Sequence, residues 1–240
     1  MASDNRAMSK PIALSIIMPV LDEGPALRLA LQALTVWREA GAELIVVDGG
    51  SQDDSLGLAG PWADLVLGAP RGRASQMNAG AARASGAWLV FLHADTRLPE
   101  AALARLCSGL PPPAVWGRFD VRIDHPHWLL RVVSVMMNWR SRLSGVATGD
   151  QAMLVRRDVF EQVGGFPDVA LMEDIALSKR LRALARPVCL SPPVLTSARR
   201  WLRHGIWRTI WLMWRLRAAY FFGADPDDLA VRYGYRPRSR

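Results

Sequence analysis

Short apolar runs alternate with helical patterns along the first hundred residues of the chain. Leucines at helical spacing predict one helix over 23–41, and an alanine-rich stretch predicts another over 73–86. The apolar runs have the length of buried strands and cover residues 13–20, 42–51, 63–70 and 87–95. Buried strands that alternate with helices require right-handed crossovers. The pattern therefore predicts an α/β fold with a mostly parallel central sheet flanked by helices.

The regular alternation stops after about residue 100, and mixed elements follow. Residues 1–10 have no periodic pattern and are expected to form a flexible tail. The later patterns predict a turn and strand, a helix, a loop with a short strand and helix, and a last helix, over 111–124, 127–143, 145–168 and 172–186. Because no linker or internal repeat separates the two halves, we expect residues 11–198 to form one domain.

Acidic residues come directly after three of the predicted strands. Asp22 and Glu23 follow the first, Asp48 and two glycines follow the second, and His93 and Asp95 end the fourth. In a parallel sheet, ligands bind beyond the carboxyl ends of the strands. Each acid alone could cap a helix or stabilise its N-terminus. Three acidic groups at one edge favour a binding cleft.

The charge of the chain is unevenly distributed. The net charge is +8, and the interval between Asp174 and Asp225 holds ten Lys or Arg and no acid. A local basic field indicates a phosphate-bearing partner, which could be a nucleotide, a nucleic acid or an anionic lipid. Neither a signal peptide nor a transmembrane helix is expected. Two cysteines without metal-ligand spacing suit a cytoplasmic location.

The basic segment ends in a tryptophan-rich pattern. Residues 199–240 are expected to form an amphipathic helix and tail, with Trp207, Trp211 and Trp214 on one helical face. That face could lie in the interface of an anionic membrane. Alternatively, it could pack on the rest of the protein. Nucleic-acid binding is not expected, because the aromatic residues occupy a helix rather than a sheet platform.

Seven motifs resemble, in order, those of the inverting family 2 glycosyltransferases with a GT-A fold. They are SIIMPVLDE, VVDGGSQDDS, GRASQMNAGA, FLHADT, TGDQAMLVRRDVFEQVGGF, MEDIALSKRL and SARRW, within residues 15–201. The most similar subgroup is the small bacterial arsenosugar-biosynthesis type. The resemblance implies a Rossmann-like GT-A sheet with a nucleotide-sugar half over 11–98 and an acceptor half over 99–198.

The resemblance also assigns residues to the donor nucleotide. Pro19 and Glu23 would line its pocket. Asp48 would hydrogen-bond the base or the ribose, within a loop that also contributes Gly49 and Ser51. These five residues are therefore predicted to bind the nucleotide.

Three further residues are predicted to act on the diphosphate. Arg73 opens a helix and could pair with phosphate, or it could occupy a solvent-facing first turn. By resemblance, Arg200 and Trp201 would close on the diphosphate and the acceptor. Ser197 stands where the family motif has Gln, so this motif departs from the family pattern.

A divalent cation is implied at the end of the fourth strand. Asp95 would hold Mg²⁺ or Mn²⁺ bridging the diphosphate, since hard cations prefer oxygen ligands. His93 replaces the first Asp of the family's Asp-x-Asp motif. It could be a second ligand, which would suit Mn²⁺, or it could only pack beside the ribose.

The acceptor half supplies the predicted base. By resemblance, Asp174, the second acid of a Glu173-Asp174 pair, would take the proton of the acceptor hydroxyl. The same pair could simply stabilise a helix N-terminus. Asp150 is the alternative base, or a group that shapes the acceptor pocket. Inversion, which the family match implies, requires no second carboxylate as nucleophile.

Together these features predict an enzyme that moves a sugar from a nucleotide-sugar donor to a lipid-linked or small-molecule acceptor. The protein is expected in the cytoplasm, peripherally bound at the inner face of the cell membrane. One alternative is a sugar-phosphate nucleotidyltransferase, which needs a glycine-rich loop after the first strand; PVLDEGPALR has one glycine. Another is a non-catalytic adaptor for a membrane surface or a nucleic acid.

Overall fold

The protein is described from a computed structural model, which covers residues 14–107, 110 and 112–235. The predicted N-terminal tail over 1–10 and the last residues, 236–240, lie outside the described part of the chain.

Within the described residues, eight strands form one mixed sheet in the order β3-β2-β1-β4-β7-β6-β8-β5. Strands β1 to β4 pair in parallel, β7 is antiparallel to β4 and β6, β6 and β8 are parallel, and β5 is antiparallel to β8. The α/β fold predicted from the alternating pattern is confirmed. The strand bounds are β1 Leu14–Val20, β2 Glu43–Asp48, β3 Leu65–Gly68, β4 Trp88–Phe91, β5 Thr96–Arg97, β6 Trp116–Asp124, β7 Met153–Arg156 and β8 Val188–Ser197.

Helices cover both faces of the sheet, and a 3₁₀ turn spans Gly149–Gln151. The helix predicted over 23–41 is two helices, and the C-terminal helix predicted from residue 199 is divided at Gly205, whose φ is 83°. The helix bounds are α1 Gly24–Gln32, α2 Thr35–Glu39, α3 Ser55–Ala59, α4 Arg73–Arg83, α5 Ala101–Cys107, α6 Trp128–Ser144, α7 Arg157–Gln162, α8 Glu173–Leu184, α9 Arg199–His204, α10 Ile206–Phe221 and α11 Pro226–Tyr233.

Strand β8 was not anticipated, because its sequence contains Pro192 and Pro193. Proline donates no ladder hydrogen bond and normally argues against an interior strand. The register between β6 and β8 shifts between Phe119 and Val121, so the prolines fall at an irregularity of the pairing.

The core lies on both faces of the sheet. Helices α1, α2, α3 and α5 pack on one face, and α4, α7 and α8 pack on the other. Helix α4 approaches β1 closely: a Cβ on Gly80 would lie 2.5 Å from the side chain of Ile17. This close packing holds the second half of α4 directly on the middle of β1.

Helix α10 has one packed face and one free face. Leu216 is buried against the start of α8 and against Leu229 of α11. The side chains of Trp207, Trp211 and Trp214 are 68%, 63% and 68% exposed. The alternative in which the tryptophan face packs on the domain is therefore wrong, although the opposite face does pack.

Helix α6 also presents an apolar stripe to solvent. Its large exposed side chains are Trp128, Val132, Val135, Met136, Trp139 and Leu143. In the described part of the chain, every helix is too short or too polar to cross a bilayer.

Candidate active site

A cavity of about 820 Å³ opens where β1 and β4 end. Its walls come from the loops after these strands, the start of α4, the 3₁₀ turn and helices α9 to α11. Eight predicted site residues line it: Pro19, Glu23, Arg73, His93, Asp95, Asp150, Arg200 and Trp201. Five others are not among its lining residues: Asp48, Gly49, Ser51, Glu173 and Asp174.

Asp48 directs its carboxylate into its own loop. The backbone N–H groups of Gly50 and Ser51 donate to Oδ2 at 2.9 and 3.0 Å. The neighbouring loop is tied in as well, because the backbone N–H of Asp22 donates to Ser51 Oγ at 3.0 Å. These hydrogen bonds fix the shape of the two loops that border the cavity.

Gln76 is a buried amide that joins the ends of two strands. Its Nε2 donates to the carbonyl oxygens of Val20 and Val47 at 2.8 and 2.7 Å. A Cβ on Gly49 would lie 3.0 Å from this amide. The glycine after Asp48 therefore makes room for the Gln76 side chain.

Asn78 links α4 to the segment after α7. Its Nδ2 donates to the carbonyl oxygen of Phe166 at 2.8 Å, and the N–H of Phe166 donates to its Oδ1 at 3.0 Å. Gln76 and Asn78 both belong to the GRASQMNAGA motif, and the sequence alone indicates no role for either. A structural role could have been predicted for both, because polar amides in a packed alanine-rich helix need hydrogen-bond partners.

Helix α9 is anchored to both sides of the cavity. Arg199 Nη2 donates to Glu23 Oε2 at 2.8 Å. Arg200 Nη2 donates to the carbonyl oxygen of Tyr233 at 2.8 Å, and its guanidinium lies 3.5 Å from the centroid of that ring. Trp201 packs partly against the cluster around Leu130. The SARRW motif thus holds α9 over the cavity.

Arg73 lies half-buried at the start of α4, with its guanidinium 5.4 Å from the centroid of the Tyr235 ring. Burial opposes its charge, but Tyr235, Tyr233 and Glu173 outweigh that effect and raise its pKa above the ordinary value. Because Arg73 lines the cavity, it is available to an anionic ligand there.

His93 contacts the 3₁₀ turn. Its Nδ1 lies 3.6 Å from Asp150 Oδ1, and a Cβ on Gly149 would lie 2.3 Å from its Cε1. Burial would raise the pKa of Asp150, but His93 and Arg73 lower it below the ordinary value. The imidazole therefore favours the ionised form of Asp150.

Asp95 also faces the cavity. Its carboxylate has a hydrogen bond of 3.4 Å from Thr96 Oγ1. Among the described residues, no three His, Cys, Asp or Glu side chains cluster as a metal site. Mg²⁺ in nucleotide sites takes one or two carboxylates together with phosphate oxygens and water. The carboxylate of Asp95, which faces the cavity, fits a cation bound in that way.

The Glu173-Asp174 pair begins α8 after a strained residue. Met172 has a φ of 67°, which is uncommon for a residue other than glycine. Asp174 Oδ2 accepts a hydrogen bond of 2.7 Å from the Gly149 N–H, so it lies beside the 3₁₀ turn. Glu173 is 4% exposed, and burial together with Asp174 raises its pKa to about 7.

Relatives of known class match part of the chain. A "PGL/p-HBAD biosynthesis glycosyltransferase" of Mycobacterium bovis is 33% identical over 126 residues, which are 48% of this chain and 49% of that protein. An "Uncharacterized glycosyltransferase" of the same species is 32% identical over 134 residues, 54% of this chain and 60% of that protein. The chain thus spans about half to three fifths of these relatives.

Solved structures share the fold. A mannosyltransferase from Pyrobaculum calidifontis in complex with GDP-Man and Mn²⁺ has a TM-score of 0.61 at 21% identity, covering 94% of this chain and 66% of that chain. S. aureus TarS 1–349 in complex with UDP-GlcNAc has a TM-score of 0.61 at 16% identity, covering 77% of this chain and 58% of that chain. The predicted GT-A fold is confirmed.

The family follows from the sequence match, which extends over more than half of the chain. The profile of "Glycosyl transferase family 2" matches residues 15–164, from β1 to two residues beyond α7. The chain belongs to glycosyl transferase family 2.

Proposed function

We propose that the chain transfers a sugar from a nucleotide-diphosphate donor to an acceptor hydroxyl, with inversion at the anomeric carbon. The observation that carries the proposal is the cavity at the ends of β1 and β4, which is lined by Asp95, Arg73 and Arg200 and adjoins Asp174 through the 3₁₀ turn. Family membership and the nucleotide sugars in the similar mannosyltransferase and TarS structures support this donor class over the nucleotidyltransferase and adaptor alternatives.

The donor half would hold the nucleotide and its diphosphate. Arg73 and Arg200 would pair with the phosphates, because guanidinium groups match phosphate oxygens. Pro19 and Glu23 would border the nucleoside. Asp48 would bind the base or ribose with its remaining acceptor capacity, while Gly50 and Ser51 hold its carboxylate in place.

Asp95 is the proposed ligand of a divalent cation. A bound Mg²⁺ or Mn²⁺ would offset the charge that develops on the diphosphate leaving group. His93 would be either a second ligand or the group that orients Asp150, which its Nδ1 approaches. If His93 is a ligand, its loss would change the affinity for the metal. If it orients Asp150, its loss would change the rate of transfer to the acceptor.

Asp174 is the proposed base. It would take the acceptor proton as the bond between acceptor oxygen and anomeric carbon forms and the bond to the β-phosphate breaks, releasing nucleoside diphosphate. Glu173 would be largely protonated below about pH 7, which limits the repulsion between its carboxyl group and that of Asp174. Asp150 is the alternative base and would otherwise orient the acceptor.

Nucleotide titration tests the donor site. UDP, GDP and dTDP are titrated calorimetrically with and without Mn²⁺ into the wild type, Asp95→Ala and the control Glu100→Ala, an exposed acid nearby. We expect metal-dependent affinity for one nucleotide in the wild type and the control. In Asp95→Ala the metal dependence should be lost. Equal, metal-indifferent affinity in all three proteins would contradict the cation site.

We also propose that α6 and α10 place the enzyme on an anionic membrane, where a lipid-linked acceptor would be reached. Their buried sides meet, since Leu130 and Val133 of α6 pack in one cluster with Ile206 of α10. Both helices turn apolar stripes outward, with Trp139 61% and Trp211 63% exposed. Tryptophans at such positions anchor proteins at the headgroup level.

Charge supports a lipid partner over a second copy of the chain. Residues 125–149 and 175–224, which contain both helices, include no Asp or Glu. Each Lys or Arg near an anionic surface contributes about 1 kcal/mol. Two copies of this basic surface would repel each other. The location at the inner face of the membrane is part of the same proposal.

Liposome co-sedimentation tests the membrane surface. The wild type should pellet with phosphatidylglycerol vesicles at low salt, less at high salt, and poorly with phosphatidylcholine vesicles. A Trp207→Ala, Trp211→Ala, Trp214→Ala variant should bind more weakly. Leu29→Ala, an exposed apolar residue of α1, serves as the control. If the wild type fails to pellet with anionic vesicles at low salt, a soluble acceptor becomes the better hypothesis.

A further inference from the structure

Two arginines near the proposed base have no assigned role. Arg140 lies on α6 and Arg217 on α10. Nε and Nη2 of Arg140 are buried and lack a hydrogen-bond partner within the described part of the chain. Leaving a buried charged donor unpaired is costly, so native structures normally provide such a group with a partner.

The position of Arg217 follows from the helix that carries it. Thr209 and Met213 of α10 line the cavity. Arg217 follows Met213 by four residues and therefore lies on the same face of the helix. Arg217 therefore lies one turn beyond the cavity wall. Its charge acts on Asp150, which does line the cavity.

Both arginines lie within electrostatic range of Asp174 and Asp150. Burial and the charge of Arg217 lower the pKa of Arg140 to about 10, while Asp174 and Asp150 oppose that change. Burial likewise lowers the pKa of Arg217. Arginine keeps its proton at neutral pH, so burial places two cations close to these two carboxylates.

The nearby carboxylates have other hydrogen-bond partners. Asp174 accepts from the backbone N–H groups of Gly149 and Ile175, and Asp150 faces His93. Over residues 14–107, 110 and 112–235, neither Arg140 nor Arg217 takes part in an ion pair. The buried Nε and Nη2 of Arg140 therefore remain available to an anion from outside the chain.

We propose that Arg140 and Arg217 bind a phosphate group of the acceptor beside Asp174. The inference rests on the proposed transfer reaction, which makes Asp174 the acceptor's base. Arg73 and Arg200 are available to the donor diphosphate, so the second pair of arginines is available to the acceptor. The guanidinium forks match the paired oxygens of phosphate and carboxylate.

The test uses the full chain with its donor site filled by the nucleoside diphosphate that binds best and Mg²⁺. Inorganic phosphate, glycerol 3-phosphate and neutral glycerol are then titrated calorimetrically. The variants are Arg140→Gln and Arg217→Gln. Their controls are Arg131→Gln and Arg215→Gln, exposed arginines on the same two helices.

We expect the wild type and both controls to bind the two phosphates but not glycerol. In each test variant, phosphate affinity should fall about tenfold or more, while nucleotide affinity stays unchanged. No phosphate binding in the wild type up to tens of millimolar, or an equal loss in the controls, would overturn the proposal.

A second arm distinguishes a lipid headgroup from a free phosphate. Short-chain phosphatidic acid is titrated below its micelle concentration, beside glycerol 3-phosphate. Tighter binding of the lipid, lost in Arg140→Gln and Arg217→Gln, supports a lipid headgroup. Equal affinities support a soluble phosphate, and binding of the lipid that is unchanged in both variants overturns the arginine site.

Thermal unfolding separates a lost site from a lost fold. Removing an uncompensated buried charge should leave the melting temperature unchanged or raise it. Phosphate should raise the melting temperature of the wild type more than that of the variants. If no nucleotide binds, the proposed donor site fails, whereas phosphate titration of the nucleotide-free chain still tests Arg140 and Arg217.

Discussion

Acidic residues border the site in both halves of the protein, but their partners differ. In the donor half, Asp48 accepts hydrogen bonds from backbone amides of its own loop, and Asp22 accepts one from the backbone N–H of Gln52 in that neighbouring loop. In the acceptor half, Glu173 and Asp150 lie among arginines, a histidine and other acids that shift their pKa values. The first arrangement fixes the shape of the loops. The second sets protonation states and is typical of reacting groups.

Asp174→Asn should produce the largest effect, because the amide keeps the shape of the side chain but cannot accept the proton. We expect turnover to fall about 10²–10⁴-fold while nucleotide affinity is retained. Steady-state transfer assays and nucleotide titration measure the two effects. Turnover near the wild-type rate would reduce Asp174 to a helix-end residue and make Asp150 the candidate base.

Gln76→Ala should show how much the buried hydrogen bonds of the donor half contribute to the stability of the fold. The change removes two buried hydrogen bonds and leaves the carbonyls of Val20 and Val47 without that partner. We expect the free energy of unfolding to fall by about 2–4 kcal/mol in denaturant titrations. The control Gln52→Ala, in an exposed loop, should change it by less than about 0.5 kcal/mol. Similar losses would refute the structural role of Gln76.

Glu173→Gln should change how stability depends on pH. In the unfolded chain Glu173 ionises near its ordinary value of 4.5, whereas in the folded protein its pKa is about 7 because of burial and Asp174, with Arg73 and His93 opposing. The wild type therefore loses stability as pH rises from about 4.5 to about 7. The variant should lose less over this range in denaturant titrations. Glu161→Gln, at an exposed acid, should follow the wild type.

Glu23→Gln should have the smallest effect on stability. The Glu23–Arg199 pair is partly exposed, so its loss should cost less than about 1 kcal/mol. Nucleotide titration of the same variant tests the predicted donor contact. A large loss of stability with unchanged nucleotide affinity would mean that the pair fastens α9 and takes no part in donor binding.

The sequence was sufficient for features that depend on local pattern and chain order. Apolar runs predicted the parallel strands of the first half, and acids after β1, β2 and β4 predicted the edge where the cavity opens. Motifs in order predicted the family. These inferences succeed because periodicity and strand direction determine where side chains emerge from a parallel sheet.

Features that depend on distant contacts could not be predicted in this way. Strand β8 could not be predicted from residue propensities, because prolines normally argue against a strand. They are accommodated here at an irregularity of the pairing with β6. Asn78 hydrogen-bonds to Phe166 across 88 positions, and the charges of Arg140 and Arg217 interact only because the fold brings α6 and α10 together. The local sequence pattern does not indicate which residues far apart in the chain come close together in the fold.

The outward tryptophans of α6 and α10 also have a spectroscopic consequence. Trp37 and Trp116 are fully buried, whereas the five exposed indoles are Trp128, Trp139, Trp207, Trp211 and Trp214. Water lowers the emission energy of exposed indoles, and a lipid surface would raise it again. The protein thus carries an intrinsic fluorescent reporter on the proposed membrane surface, with a buried internal reference, and needs no attached dye.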